Sequence, residues 1–352
     1  MDDAAGGQVS VSPKISDATL RDTAHMAGVA FDVDDARVLA GLLCDVGIDI
    51  VEAGIVSDKD RSEVPLVQAV VEVAGRERTK TVILARSRKQ VEEDLDAALE
   101  TGAGNVMLSI PTSKVHSTLK LGTDSPKRIM TLAARSIEAA VAAGFSVTFT
   151  AEDGARTDPG FLEEYVANGA EAGADRFRLA ETVSSLAPND VHALISRLVP
   201  AAGRTEVEMH SHNMLGLSVA NTLAAVDAGA AWVSCTIDGL GERGGNTPLA
   251  EILCVLKVLR ASTASTCSRS PTSRARRPAV PVCAVARPPG PRPTSATSTR
   301  YPGRYGTPRR LNCLRPRQWA TRAACESAPG SSPSCWRHFS HRRPWRESTP
   351  RR

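Results

Sequence analysis

Before residue 260, short apolar runs rich in Val and Ile alternate eight times with longer amphipathic stretches. This alternation indicates strand–helix units and a parallel sheet. The predicted strands are Lys14–Leu20, Ile48–Ala53, Lys80–Ala85, Asn105–Ile110, Ser146–Thr150, Arg176–Ala180, Glu206–His210 and Trp232–Ile237. The predicted helices are Asp34–Val46, Pro65–Ala74, Lys89–Thr101, Ser125–Ala143, Pro159–Ala172, Ala187–Leu198, Leu217–Ala228 and Pro248–Leu259.

Eight such units close a barrel at a typical length of ~250 residues. We therefore predict an α/β protein in which residues 14–259 form a (β/α)8 TIM barrel, preceded by a flexible N-terminus over residues 1–13. A doubly wound open sheet is the alternative. It is disfavoured because no GxGxxG turn follows the first apolar run.

The composition changes sharply at residue 260. Residues 1–259 carry 23 Lys and Arg against 37 Asp and Glu, a net charge of −14, whereas residues 260–352 carry 20 Arg, no Lys and two acids, a net charge of +18. The second part also holds 14 of the 22 Pro and five of the eight Cys. Such a composition is typical of a disordered segment, or of a GC-rich gene translated out of frame. We predict that residues 260–352 form a low-complexity tail of one of these two kinds.

The basic tail raises the question of nucleic-acid binding, since clustered Arg neutralises phosphates. The Arg residues are scattered among Pro, Ser and Thr without aromatic interleaving, and the tail Cys form no CxxC pairs for zinc. An inactive barrel with a nucleic-acid-binding tail is therefore kept only as an alternative. Neither a signal-peptide-like run nor an apolar run of ~18 residues is present, which predicts a cytoplasmic protein without a membrane partner.

The predicted barrel places polar side chains at the carboxyl ends of its strands, where catalytic groups of such barrels lie. His210 and His212 are two residues apart on strand 7 and therefore share one face. With the carboxylate of Asp22 after strand 1, two neutral imidazoles make a half-shell for Mg²⁺, Mn²⁺ or Zn²⁺. The competing interpretation is that one of the two His residues is structural.

Three segments resemble the signature segments of the DRE-TIM metallolyase superfamily. They are DATLRD at Asp17–Asp22, HSHN at His210–Asn213 and GLGERGGN at Gly239–Asn246. The third is closest to the form found in homocitrate, isopropylmalate and citramalate synthases. The resemblance covers the chain from about Lys14 to Leu259 and implies a metal-dependent barrel enzyme.

The activity implied by this resemblance is a Claisen condensation of acetyl-CoA with a 2-oxo acid, which yields a 2-hydroxy acid and CoA. The protein is then an acyltransferase that converts the acyl group into an alkyl group on transfer. By resemblance, Asp22, His210 and His212 hold the metal with Asn246 beside them, and Arg21 polarises the carbonyl of the 2-oxo acid. The resemblance further implies that Glu152 is a catalytic carboxylate and that Glu52, Arg86 and Thr182 line the keto-acid pocket. His116 and Lys120 lie in another segment that resembles the family, with a solvated loop as the competing interpretation. Glu152 and the His residues are the candidates for the base.

Two positions depart from the synthase pattern. Where synthases continue Gly-Glu-Gln after the metal-binding Asp, this chain has Thr23-Ala24-His25. We assign His25 to substrate binding, where it can meet an unusual acidic head group; the competing interpretation is a His packed within the loop. On strand 5, Thr148 occupies the place where homocitrate synthases tend to have an arginine for the far carboxylate of 2-oxoglutarate. A different or shorter 2-oxo acid is therefore expected, including oxaloacetate or its phosphonate analogue.

Nothing after Leu259 resembles the helical subdomain with which family members cover a partner's active site. With a native subdomain in that place, the resemblance implies a homodimer. An aldolase or lyase of the same superfamily is the remaining enzymatic alternative. The Glu242-Arg243 pair and the Glu152-Asp153 segment favour a synthase.

Overall fold

Eight parallel strands close into a barrel in which each strand pairs with the next along the chain and the eighth pairs with the first. The structure, a computed structural model, describes residues 12–264, with side chains described through residue 259. The strands are β1 Lys14–Asp17, β2 Ile50–Ile55, β3 Thr79–Leu84, β4 Asn105–Pro111, β5 Ser146–Glu152, β6 Arg176–Glu181, β7 Glu206–Ser211 and β8 Trp232–Cys235. The predicted TIM barrel is confirmed.

Helices follow the strands and surround the barrel. They are α1 Thr19–Asp22, α2 Val33–Val46, α3 Val64–Ala74, α4 Arg88–Glu100, α5 Lys114–Leu121, α6 Pro126–Ala142, α7 Pro159–Glu171, α8 Pro188–Ala202, α9 Ser218–Asp227 and α10 Leu249–Ala264. The last helix continues beyond residue 259 to Ala264. The expectations for the remainder of the tail, and for residues 1–11, lie outside the described residues.

The first predicted strand, Lys14–Leu20, is too long. The strand ends at Asp17 because Asp17 Oδ1 accepts a hydrogen bond from the backbone N–H of Thr19 at 2.9 Å, which turns the chain into α1. Helix α5 was not predicted. It begins because the Ser113 side chain accepts from the backbone N–H of His116 at 3.2 Å, and it ends at Gly122 in the left-handed conformation.

Apolar side chains on the outer face of the strands pack against the helices and form the hydrophobic core. One example is the aromatic group in which Phe149 on β5 contacts Tyr165 on α7 and Phe177 on β6, with ring centroids 5.4 and 5.1 Å apart. The interior of the barrel is different, because polar and charged side chains occupy much of it. Those with relative exposures of 4% or less include Ser16, Glu52, Lys80, Thr148, Thr150, Arg178, Glu208, His210 and Ser234.

None of the helices within residues 12–264 combines the length and the apolar character that a membrane span requires.

Candidate metal centre and surrounding pocket

Asp22, His210 and His212 converge at the mouth of the barrel. One ligand-type atom from each residue lies within 4.8 Å of those of the other two. Asp22 ends α1, His210 lies in β7, and His212 follows it by two residues, so the pairing of β8 with both β7 and β1 brings the three side chains together. All three are buried, with relative exposures of 1%, 4% and 4%. The predicted constellation therefore exists as a cluster.

Each imidazole is oriented by a hydrogen bond at its Nδ1 atom. Nδ1 of His210 lies 2.9 Å from the Ser234 hydroxyl, and Nδ1 of His212 lies 3.1 Å from the carbonyl oxygen of Gly245. A carbonyl only accepts, so Nδ1 of His212 donates and its Nε2 carries the lone pair. Such outer hydrogen bonds are the usual way of fixing the orientation of a metal-binding His.

The charge states suit metal ligands. Burial, the neighbouring His212 and nearby arginines hold the pKa of His210 well below its ordinary value. Burial also lowers the pKa of His212. Burial alone raises the pKa of Asp22, but Arg21 and the two imidazoles outweigh it and leave that pKa below its ordinary value. At neutral pH the cluster thus offers two neutral imidazoles and one carboxylate, the forms that bind metals.

Asn246 adds a fourth possible metal ligand, its side-chain oxygen, to the cluster. Its side-chain amide donates to Asp22 Oδ2 and, at 3.0 Å, to the carbonyl oxygen of Leu240. Its Oδ1 atom is buried and has no hydrogen-bond partner among residues 12–264. A buried acceptor without a partner requires an explanation, and a cation beside Asp22 provides one. Two imidazoles, one carboxylate and one amide oxygen fit a divalent ion with positions left for substrate oxygens.

His25 and Glu242 lie above this cluster at the rim. Their ligand-type atoms and that of Asp22 also lie within 4.8 Å of one another. His25 is exposed, whereas Glu242 is partly buried and forms an ion pair of 2.8 Å with Arg243. Glu242 Oε1 is also 3.9 Å from His212 Nε2. The structure therefore places His25 beside the metal-type cluster.

Arg21 bridges two carboxylates. Its Nη1 donates to Asp22 Oδ1 at 2.6 Å, while its Nε and Nη2 donate to Glu52 Oε2 at 3.2 and 3.0 Å. Glu52, predicted to line the keto-acid pocket, is fully buried and also accepts hydrogen bonds from Ser16 and Arg178. Its oxygens are therefore engaged by protein donors in this structure.

Glu152 lies on the β3–β5 side of the mouth among cationic groups. It contacts Lys120, lies 2.9 Å from His116 Nδ1, and is 3.6 Å from Arg86 Nη2. Burial raises the pKa of Glu152, but Lys120, His116 and Arg86 together leave it below its ordinary value. The structure thus brings three predicted residues together around the Glu152 carboxylate, two of them supplied by the unpredicted helix α5.

Thr182 has a local role in this structure, since its hydroxyl accepts from the backbone N–H of Asp153 at 3.0 Å and ties the ends of β5 and β6 together. Thr148 is buried near the start of β5, in register with Arg176 of β6, whereas Glu152 ends the same strand at the mouth.

Sequence reasoning missed the interior charges Lys80, Arg178 and Glu208. A signal was available, because Arg176 and Arg178 are two residues apart on a predicted strand and must share a face. The residue between them, Phe177, packs outward in the aromatic group, so the two arginines necessarily point inward.

Comparisons with known proteins give one family and a consistent set of relatives. The HMGL-like family model matches residues 12–272. The 2-isopropylmalate synthase of Sulfurisphaera tokodaii is 34% identical over 257 residues, which cover 72% of this chain and 65% of that protein. The 2-isopropylmalate synthase 2 of Caldanaerobacter subterraneus subsp. tengcongensis is 37% identical over 244 residues, covering 69% and 61%. The chain spans less than two thirds of the length of these relatives.

Among solved structures, the HMG-CoA lyase from Brucella melitensis is similar with a TM-score of 0.61 and 17% identity, covering 70% of this chain and 91% of that one. The hydroxymethylglutaryl-CoA lyase from Pseudomonas aeruginosa has the same TM-score with 21% identity, covering 70% and 86%. At these identities the likeness shows the shared barrel alone.

Proposed function

Since the chain belongs to the HMGL-like family, we propose that it is a metal-dependent acyltransferase that condenses acetyl-CoA with a 2-oxo acid. The overall reaction consumes water and releases CoA and a 2-hydroxy acid. The observation that carries the proposal is the buried cluster of Asp22, His210 and His212 with Arg21 held against it. The similarity to proteins named 2-isopropylmalate synthase supports the synthetic rather than the cleaving direction.

Asp22, His210 and His212 are the proposed ligands, with Asn246 Oδ1 as a fourth donor. A divalent ion in this position supplies a Lewis acid and a template for the carboxylate and carbonyl of the acceptor. Arg21 lies next to the cluster with its guanidinium fixed by Asp22 and Glu52. A fixed cation at this point stabilises the negative charge that develops on the carbonyl oxygen of the acceptor.

We assign the removal of the methyl proton of acetyl-CoA to Glu152 and His116. A carboxylate with a lowered pKa is a weak base by itself. Glu152 forms a hydrogen bond of 2.9 Å with His116 Nδ1, which gives the proton taken from acetyl-CoA a second site. Glu152 and His116 together therefore hold this proton better than Glu152 alone. Arg86 and Lys120 keep the carboxylate anionic before the substrate arrives.

The proposed acceptor is shorter than 2-oxoglutarate. Thr148 offers a hydroxyl in place of an arginine on the inner wall, and Thr150 above it is occupied by a hydrogen bond of 3.3 Å from the backbone N–H of Ile110. Pyruvate, 2-oxoisovalerate, oxaloacetate and its phosphonate analogue are the acids to compare. His25, exposed at the rim, is the residue we assign to the head group of the incoming acid.

The test uses the full chain with Mg²⁺, Mn²⁺ or Zn²⁺, acetyl-CoA and each of these acids in turn. Release of free thiol together with the condensed acid, identified by mass spectrometry, is the expected result. Asp22→Asn and His210→Ala should abolish both metal binding and turnover while circular dichroism stays unchanged. Arg21→Ala should keep the metal and lose the rate. Metal content equal to wild type in both ligand variants would remove the proposed site.

The lyase alternative predicts the opposite behaviour in the same assay. A lyase leaves acetyl-CoA and 2-oxo acids unchanged, and cleaves a 3-hydroxy-3-methyl acyl-CoA thioester to acetyl-CoA and a methyl ketone. Finding that cleavage without condensation would replace the synthase proposal.

A further inference from the structure

A group of ionic side chains occupies the middle of the barrel, where such barrels usually contain branched aliphatic residues. Glu52, Lys80, Arg178 and Glu208 each have a relative exposure of 1% or less. They come from β2, β3, β6 and β7, so four strands contribute to one inner layer. Buried charges of this kind are tolerated only where they are paired.

Arg178 is the centre of this group. Its Nη1 donates to Glu52 Oε2 at 3.1 Å, and its Nη2 donates to Glu52 Oε1 and to Glu208 Oε1, the latter at 2.8 Å. The contact with Glu52 is therefore bidentate, a geometry that fixes the plane of the carboxylate. Ser16 adds a hydrogen bond of 3.1 Å to Glu52 Oε1.

The carboxylate fixed in this way is the one that holds Arg21. Glu52 Oε2 accepts from both Nε and Nη2 of Arg21, which leaves Nη1 of Arg21 directed at Asp22. A continuous series of hydrogen bonds thus runs from Glu208 through Arg178, Glu52 and Arg21 to Asp22. It connects the inner layer to the metal-type cluster without passing through the backbone.

We propose that Arg178 is a positioning residue, which acts through Glu52 to hold the guanidinium of Arg21 in the orientation that serves the acceptor carbonyl. This inference rests on the proposed function. Arg178 itself is buried, and its side-chain hydrogen bonds go to Glu52 and Glu208. Its contribution is to keep the Glu52 carboxylate from rotating, so that Arg21 keeps one orientation.

Lys80 is unable to take over this task. Its Nζ is 3.7 Å from both Glu52 Oε1 and Glu208 Oε2, beyond hydrogen-bond distance, and an ammonium group does not fix the plane of a carboxylate. Burial also lowers the pKa of Lys80 to about 7, so that near neutral pH its charge is incomplete. Removing Arg178 therefore leaves Glu52 held only by Arg21 and by the single hydrogen bond from the Ser16 hydroxyl.

The experiment compares Arg178→Gln and Arg178→Lys with the matched control Arg176→Gln. Arg176 is the other inward arginine of β6, and its guanidinium lies 3.2 Å from the centroid of the Trp232 ring and 3.7 Å from Glu208. Loss of Arg176 therefore disturbs the same inner layer through Glu208, without removing a hydrogen bond to Glu52. A purely structural role for the layer predicts similar consequences from both Gln variants.

Three quantities are measured on folded protein. In Arg178→Gln we expect the Mn²⁺ affinity to stay within about twofold of wild type and the solvent exchange of the Arg21 Nε–H, measured by NMR, to become faster. The kcat should fall by about 10- to 100-fold, as expected when a catalytic group is misplaced by ~1 Å. Arg178→Lys should recover part of the rate. Arg176→Gln should resemble wild type in exchange and kcat.

Equal exchange and equal kcat in Arg178→Gln and Arg176→Gln would overturn the proposal. If Arg178→Gln fails to fold, Arg178→Lys and Glu52→Gln take its place, and wild-type Arg21 exchange in both variants would count equally against it. If the wild-type chain condenses no acid at all, the proposed function fails, while the NMR exchange still decides whether Arg178 positions Arg21.

Discussion

The side-chain amide of Asn246 donates a hydrogen bond to Asp22 Oδ2 across the seam where β8 pairs with β1. The two residues are 224 positions apart, and their contact closes the metal-type cluster at the same place where the barrel closes. Gly241 leaves room for this contact because it has no side chain. A Cβ atom added at that position would lie 2.7 Å from Asp22 Oδ2 and even closer to the Asn246 amide.

We therefore expect Gly241→Ala to displace Asn246, which is both a proposed ligand and a partner of Asp22. Metal binding should weaken by roughly tenfold or more, at least as much as on loss of an outer partner of a metal ligand. Calorimetric titration with Mn²⁺ measures the effect. Gly41→Ala on α2 is the control, since a Cβ atom at that position meets only Val73 Cγ1 at 4.0 Å. Wild-type affinity in Gly241→Ala would show that the seam contact does not shape the site.

The second prediction concerns the orientation of His210. Ser234 is buried and its hydroxyl lies 2.9 Å from His210 Nδ1. Ser234→Ala removes this partner and leaves the imidazole free to rotate, so metal affinity should fall by about 10- to 100-fold with the barrel intact. Ser211→Ala in the adjoining strand is the matched control, because the Ser211 hydroxyl donates to the His212 carbonyl at 3.4 Å instead of to an imidazole. Equal affinities in the two variants would contradict the assigned role of Ser234.

The eight strands could be predicted because each depends on local sequence, and the metal-type cluster could be predicted because a parallel barrel brings the carboxyl ends of its strands to one mouth. A run such as Asn105–Ile110 shows its strand character within six residues, and His210 and His212 reveal their common face by spacing alone. The similarity to DRE-TIM metallolyases, suggested by three short segments, is confirmed by the family match over residues 12–272.

The pairing inside the barrel could not be predicted in the same way. Glu52 and Arg178 are 126 positions apart, and the sequence of neither strand indicates that the two side chains pair. The turn after Asp17 was missed for a different reason, since one side-chain hydrogen bond to Thr19 ends a strand whose apolar pattern continues to Leu20. Helix α5 depends likewise on a single cap at Ser113.

The third prediction concerns the pH dependence of stability. Burial raises the pKa of Asp17 to about 7, and Asp17 Oδ2 has no hydrogen-bond partner among residues 12–264. The folded state therefore keeps the carboxyl proton of Asp17 between pH ~4 and 7, whereas the unfolded state releases that proton near pH ~4. The contribution of Asp17 to stability is complete below pH ~4 and is lost as the pH rises to about 7.

Asp17→Asn cannot titrate and should remove this slope. Relative to wild type, the variant should gain as much as ~4 kcal/mol between pH 4 and 8, the upper limit for a shift of about three units at 1.36 kcal/mol each. Urea unfolding at intervals of half a pH unit measures the free energy of unfolding in both proteins. Parallel curves between pH 4 and 7 would show that Asp17 does not carry the titration, while parallel curves above pH 8 are expected in either case.

The last prediction tests the packing between β5 and α7, which supports the strand that ends in Glu152. Gly169 lies in α7 with the ring of Phe149 directly above it, and a Cβ atom there comes within 2.8 Å of Phe149 Cε1 and closer still to two other ring atoms. Alanine in a helix gains up to ~1 kcal/mol over glycine, but overpacking a core costs about 1–3 kcal/mol, and the larger effect decides the sign.

We expect Gly169→Ala to lower the free energy of unfolding by about 2 kcal/mol. Gly160→Ala, in the first turn of the same helix, meets only the flexible Asp158 carboxylate at 3.2 Å and should have little effect. If the ring is the cause, Phe149→Leu should relieve the clash, so that the double variant is more stable than the two single changes added together predict. Additive losses in this cycle would mean that Gly169 is required for its backbone and not for the space it leaves to Phe149.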